Sequence, residues 1–137
     1  MYGTDKRLLY VLYVRSYTRV ILYMVENCLF CKIINGDIPS KKAYEDDKIL
    51  AFYDIAPQAP VHILVIPKAH IACVDEINEA NADIVAYIFT KIPAIAKAAG
   101  IVNGYRVVSN CGDDACQSVK HLHFHILGGA ELSGEMA

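Results

Sequence analysis

The sequence predicts an α+β domain with a largely antiparallel sheet. Three observations predict it: short β-branched segments on both sides of one long helical stretch, the helical spacing of isoleucines within that stretch, and a seven-residue alternation near the C-terminus. The chain has 137 residues, 55% hydrophobic and 20% charged, which suits one domain with a packed core and excludes disorder of the whole chain. A formal net charge of -2 argues against a basic nucleic-acid-binding face. The apolar runs Leu8 to Val14 and Val20 to Val25 are too short for a bilayer span, which needs about 20 residues.

Residues 1–23 hold five of the nine tyrosines, with Lys6, Arg7, Arg15 and Arg19 against a single acid, Asp5. Arg15 and Arg19 interrupt the apolar stretch that a signal peptide would require. Met24 offers an alternative start, so residues 1–23 are expected to be an extension outside the fold, and 24–137 the domain. Leu29 to Ile34 then reads as a short helix, ended by Asn35-Gly36-Asp37. Ala43 to Glu45 and Ile49 to Tyr53 read as strands around Asp46-Asp47-Lys48, and Val61 to Ile66 as a strand closed by Pro67. Glu76 to Gly100 carries Ile84, Ile88, Ile92, Ile95 and Ala96 at helical spacing, with Pro93 expected to kink or split it. Tyr105 to Ser109 and Leu122 to Leu127 complete the strands.

Five cysteines, Cys28, Cys31, Cys73, Cys111 and Cys116, form an odd set without a secretion signal, which points to a reducing cytoplasm. In His121-Leu122-His123-Phe124-His125-Ile126-Leu127, a strand period of two sends three imidazoles to one face and the apolar residues to the other. Such a cluster suits either a catalytic zinc or attack by one neutral imidazole on phosphorus while its neighbours hold the phosphoryl oxygens. Asn110 and Gln117-Ser118 bring neutral donors near the strand and favour the second reading.

This seven-residue segment resembles the motif of the histidine triad (HIT) superfamily, and Gly128-Gly129 after it resembles the histidine triad nucleotide-binding (HINT) branch. Cys28 to Ile34, Ile38-Pro39-Ser40, Ala51 to Pro60, His62 to His70 and Asn110 to Gly129 are similar to HINT segments in the same order. The resemblance spans roughly residues 24 to 130. It implies a HIT-like fold, a homodimer whose sheets join, and hydrolysis of the P–N bond of purine nucleoside phosphoramidates, aminoacyl adenylates included. His123 would be the nucleophile that forms a nucleotidyl-histidine, His125 would bond the phosphoryl oxygen, Ser118 would assist the leaving group and His62 would orient the triad. Asp54 and Ile55 would hold ribose and base, and Asn110, Cys116 and Gln117 would frame the phosphate. Cys116 departs from the family's usual glycine, and the tail Glu131 to Ala137 lacks the Trp-Pro-Pro-Gly ending of many HINT proteins.

Cys28-x-x-Cys31 has the spacing of a metal half-site or of a redox pair. Related bacterial HIT proteins and the galactose-1-phosphate uridylyltransferases complete such a half-site with a later histidine and the first of the triad, which implies His70 and His121 around a structural zinc. No organic cofactor, nucleic acid or membrane partner is expected. The competing readings are a dinucleoside polyphosphate hydrolase or nucleotidyltransferase, and a non-catalytic nucleotide sensor. Cys73 and Cys111 read as core or pocket-wall thiols.

Overall fold

A computed structural model describes residues 6–136. The chain runs through α1 (Lys6–Asn27), α2 (Leu29–Ile34), β1 (Lys42–Glu45), β2 (Ile49–Tyr53), β3 (Val61–Pro67), α3 (Ala82–Ala98), β4 (Tyr105–Val108) and β5 (Phe124–Gly128). The five strands form one sheet in the order β1-β2-β3-β5-β4, with every neighbouring pair antiparallel. This is the predicted α+β architecture.

Strand alternation divides the core between two helices. Ile49, Ala51, Ile63, Val65 and Ile126 face α3 and pack on its Ile88, Ile92, Ile95 and Ala96. Leu50, Phe52, Leu64 and Ile66 face the other way, onto Phe30, Ile33, Cys28 and Cys31 of the α2 segment. Because His125 pairs with Leu64 and Ile126 with Ile63, the register of β5 sends the histidine to the α2 side and the isoleucine to the α3 side. Gly128 and Gly129 close β5 for steric reasons. A Cβ at Gly128 would come 2.9 Å from the Ile101 side chain, while Gly129 sits at φ +88° against Pro60 and Val61.

Two elements, α3 and β5, differ from the sequence expectation. Of the kink or split expected at Pro93, the split does not occur: the helix runs through it, with Pro93 turned to solvent. The helix starts at Ala82 because Asn78 and Asn81 bond each other's neighbouring backbone instead: the Asn78 N–H donates to Asn81 Oδ1 at 2.7 Å and the Ala80 N–H to Asn78 Oδ1 at 2.9 Å. At the C-terminal end, β5 begins at Phe124, so His121, Leu122 and His123 precede the ladder. The Leu122 N–H donates to Ile71 O, outside the sheet. Upstream, α1 leads directly into α2, and its residues 13–24 are exposed. No helix among the described residues is long and apolar enough to cross a membrane.

Candidate active site

Although only His125 lies in the ladder, the three triad imidazoles still share one side. Phe30 packs edge-on against both His121 and His123, with centroids 5.9 and 5.2 Å away, and His123 lies 5.0 Å from His125. His121 and His123 are buried and His125 is half-buried. Each ring has a different task, fixed by what its nitrogens meet.

The chain of bonds begins outside the triad. The Gln58 N–H donates to His62 Nδ1 at 3.1 Å, so a neutral His62 carries its proton on Nε2. That Nε2 lies 2.8 Å from His125 Nδ1 and 3.5 Å from Asp54 Oδ2. His125 therefore accepts at Nδ1 and holds its own proton on Nε2. His123 is the reverse case: its Nδ1–H donates to the His121 carbonyl at 2.6 Å, which leaves Nε2 with a free lone pair. Burial, with the nearby His123 and His62, pulls the His125 pKa down to about 4. Burial also lowers that of His62, against the pull of Asp54. Both therefore stay neutral near pH 7.

At the other end of the triad, Cys28, Cys31, His70 and His121 bring their ligand atoms within 4.8 Å of one another. His121 Nδ1 lies 3.4 Å from Cys28 Sγ and 3.6 Å from Cys31 Sγ, and His70 Nδ1 lies 3.3 Å from Cys31 Sγ. A tetrahedral ion with bonds of about 2.3 Å to sulfur and about 2.05 Å to nitrogen sets S···N edges of about 3.6 Å, so the four groups could hold a metal ion. The His121 Nε2–H donates to Pro67 O at 2.8 Å, turning the Nδ1 lone pair towards the sulfurs. Burial and the adjacent Cys28 push the Cys31 thiol up to about 12, as expected of buried sulfurs that a cation would otherwise neutralise.

A cavity of about 300 Å³ opens beside His123 and His125, walled by Phe30, Ile38, Ser40, Phe52, Asp54, Ile55 and Ser118 among others. Its wall is mainly apolar on the α2 side and polar at the histidines, a composition suited to a flat heteroaromatic group with a charged end. Ile55 is fully exposed at the rim. Asp54 Oδ1 accepts from the Ala56 N–H at 2.8 Å and caps its own turn, with Oδ2 turned to His62.

The loop after β4 serves the site differently from expectation. Gln117, Asn110 and Cys116 are not among the residues that line the cavity, whereas Ser118 is. The Gln117 side chain is buried and bonded throughout to backbone: its amide donates to Ala72 O at 2.7 Å and Val119 O at 3.0 Å, and its oxygen accepts from the Gly112 N–H at 3.0 Å. It braces the loop and has no donor to spare for a phosphate. Asn110 Nδ2 donates to Ala115 O within the same loop. Cys116 holds φ 58°, the one non-glycine residue at positive φ among the described residues, which accounts for glycine being usual there. Sequence reasoning missed Phe30, Ser40 and Ser109. Phe30 lay inside the quoted Cys28–Cys31 segment, but nothing local told which of Leu29 and Phe30 turns inward. Ser109 Oγ donates to His123 O at 2.9 Å, and the buried Ser40 Oγ has no partner.

A family model for the HIT domain matches residues 35–132. The chain belongs to the HIT family. The 14 kDa zinc-binding protein of Zea mays is 46% identical over 107 residues, covering 77% of this chain and 84% of that protein. Adenylylsulfatase HINT1 of Arabidopsis thaliana is 43% identical over 107 residues, covering 77% and 73%. Among solved structures, a HIT family hydrolase from Clostridium thermocellum superposes with a TM-score of 0.80 at 50% identity, covering 82% of this chain and 98% of that one. The HIT match takes in His62, the triad and most of the cavity wall, while Cys28, Phe30 and Cys31 stand upstream of it. In this HIT protein, half of the candidate metal site and one wall of the cavity are thus built by the segment just before the family domain.

Proposed function

We propose that this HIT protein hydrolyses the P–N bond of purine nucleoside phosphoramidates through a nucleotidyl-His123 intermediate. The observation that carries this reading is the bond from His123 Nδ1–H to the His121 carbonyl, which in the neutral ring puts the lone pair on Nε2 of a cavity-wall residue. In the first step, the Nε2 lone pair attacks the α-phosphorus, a P–N bond to His123 forms, and the bond to the amine breaks. The His125 Nε2–H donates to a non-bridging oxygen as charge grows there, and Ser118 at the rim assists the departing amine in gaining its proton. Water then attacks phosphorus from the opened side and releases to solvent a proton that replaces the one taken up by the amine, while His123 leaves with its electron pair. Asp54 Oδ2 is available to the ribose hydroxyls, and Ile55 and Phe30 to the purine faces.

Cys28, Cys31, His70 and His121 would hold a zinc ion. With four protein ligands such an ion would have no open position, and its contribution would be structural: it would fix His121, whose carbonyl holds His123. The zinc-binding protein of Zea mays, 46% identical, supports zinc as the metal. We also propose a homodimer through β4, one of the sheet's two edge strands, which has no strand on its outer side among the described residues.

The Arabidopsis relative's name, adenylylsulfatase, supports a nucleotidyl transfer in which sulfate replaces the amine as leaving group. A substrate panel separates these readings: an adenosine phosphoramidate, adenylyl sulfate and a diadenosine polyphosphate, each at equal concentration with the zinc-loaded protein. The proposal expects the highest kcat/KM for the phosphoramidate. Preference for adenylyl sulfate or the dinucleotide would reassign the leaving group, and AMP binding without turnover of any of the three would favour a sensor.

A further inference from the structure

Outside the active site, the fold brings together two cysteines from distant parts of the chain. Cys73 lies at the start of the 3₁₀ turn Val74–Glu76, and Cys111 lies in the loop after β4. The sulfurs of Cys73 and Cys111 and a carboxylate oxygen of Asp75 lie within 4.8 Å of one another. Both thiols are half-buried and free. The Asp75 backbone favours a Cys111 thiolate, but the neighbouring Cys73, burial and the Asp75 carboxylate outweigh it, so the Cys111 pKa is raised.

This trio offers three donor groups, one fewer than a closed tetrahedral zinc site needs. Two free, half-buried thiols this close form a setting in which oxidation of one sulfur is resolved by the other.

We propose that Cys73 and Cys111 form a reversible disulfide, made by hydrogen peroxide or an organic hydroperoxide, that clamps the Asn110–Ser118 loop to the Ile71–Glu76 segment. The thiolate of one cysteine attacks the peroxide O–O bond, giving a sulfenic acid and water or alcohol. The second thiol then displaces hydroxide from that sulfenic sulfur, which with its proton leaves as water. The peroxide is reduced by two electrons and the two thiols are oxidised to one disulfide. Closing the sulfurs to the about 2.05 Å of a bond requires side-chain rotation, and the two segments are already tied by Gln117 to Ala72 and Leu122 to Ile71. The bond itself stands on the geometry of these thiols. Only its bearing on nucleotide binding rests on the proposed function, because the clamped loop carries Asn110 and Ser118.

The test uses the full, zinc-loaded chain treated with hydrogen peroxide, its remaining thiols alkylated, and digested without reductant. The expected product is a peptide pair joined through Cys73 and Cys111, lost on adding dithiothreitol and absent in Cys73→Ser and Cys111→Ser. Hydrogen exchange of the amides from 110 to 118 should slow severalfold in oxidised wild type and not in either variant. Linkage through Cys116, oxidation of Cys116 alone, or a mapped Cys73–Cys111 bond with unchanged exchange would overturn the proposal. Phosphoramidate turnover by the reduced sample is recorded alongside, so an inactive enzyme is not mistaken for an absent disulfide.

Discussion

His62 Nε2 sits 2.8 Å from His125 Nδ1, so a residue outside the triad sets the tautomer of the triad's last member. The Gln58 N–H fixes His62 in turn. This relay makes His62 a positioning residue. His62→Ala should lower kcat by about 10- to 100-fold, the equivalent of about 1–3 kcal/mol for a lost buried donor, with KM little changed. His62→Gln, which keeps an N–H donor, should recover part of that loss. A KM effect larger than the kcat effect would show that His62 acts on binding instead.

Cys116 occupies left-handed backbone at φ 58°, which costs an L-residue roughly 1–2 kcal/mol. Cys116→Gly should therefore stabilise the protein, less the entropy that glycine adds to the unfolded chain, leaving a gain of about 0.5–1 kcal/mol. Denaturant unfolding would register this as a higher midpoint at constant slope. A lower midpoint would mean that the thiol makes contacts worth more than the strain.

Metal removal should loosen the α2 side of the core, since Cys28 and Cys31 belong to it. Elemental analysis should find one zinc per chain in the wild type and a large loss in Cys31→Ser. A site filled at a thousandfold excess over Kd contributes about 4 kcal/mol, so chelation should lower Tm by roughly 15 °C. An unchanged Tm after complete zinc removal would contradict the structural role.

The histidine pair also predicts a pH dependence of stability. In the folded state His125 has a pKa of about 4 and that of His62 is lowered too, whereas unfolded histidine titrates near 6.5. As pH falls from about 6.5 towards 4, the unfolded chain takes up protons that the native state refuses, and stability declines. Asp46 acts in the same direction at lower pH. Its carboxylate accepts from the Tyr44 and Tyr87 hydroxyls at 2.7 Å; burial opposes the shift, but these bonds and two backbone N–H groups hold its pKa below the usual range. Its contribution is full above the ordinary carboxylate pKa and fades as pH falls. Urea unfolding of the zinc-loaded protein at pH 7.5 and pH 5 should give a lower midpoint at pH 5, with a smaller difference in His125→Asn. Equal midpoints at the two pH values would contradict these shifts.

Features carried by local spacing were legible before the structure. The period-two histidines share one side, and Cys28-x-x-Cys31 meets His70 and His121 as the resemblance implied. Contacts set by distant chain segments were not legible. Gln117 reads as a phosphate donor beside the triad, yet its amide is consumed by Ala72, which local sequence gives no means of pairing with it. The alternation of residues 121–127 likewise suggested a full strand, but Leu122 bonds Ile71 before the ladder begins. The encounter of Cys73 with Cys111 depends on the same docking of the loop. Tautomers are the extreme case, because His123 and His125 have the same side chain and differ only in which carbonyl, ring nitrogen or N–H their own nitrogens meet.

The most direct test of the central claim is a rapid-quench reaction of an adenosine phosphoramidate with wild type and His123→Ala, followed by peptide mass spectrometry. The account predicts an adenylate on His123 in the wild type, and neither adduct nor turnover in the variant while AMP still binds. Turnover surviving in a folded His123→Ala protein, or an adenylate mapped to another residue, would contradict it.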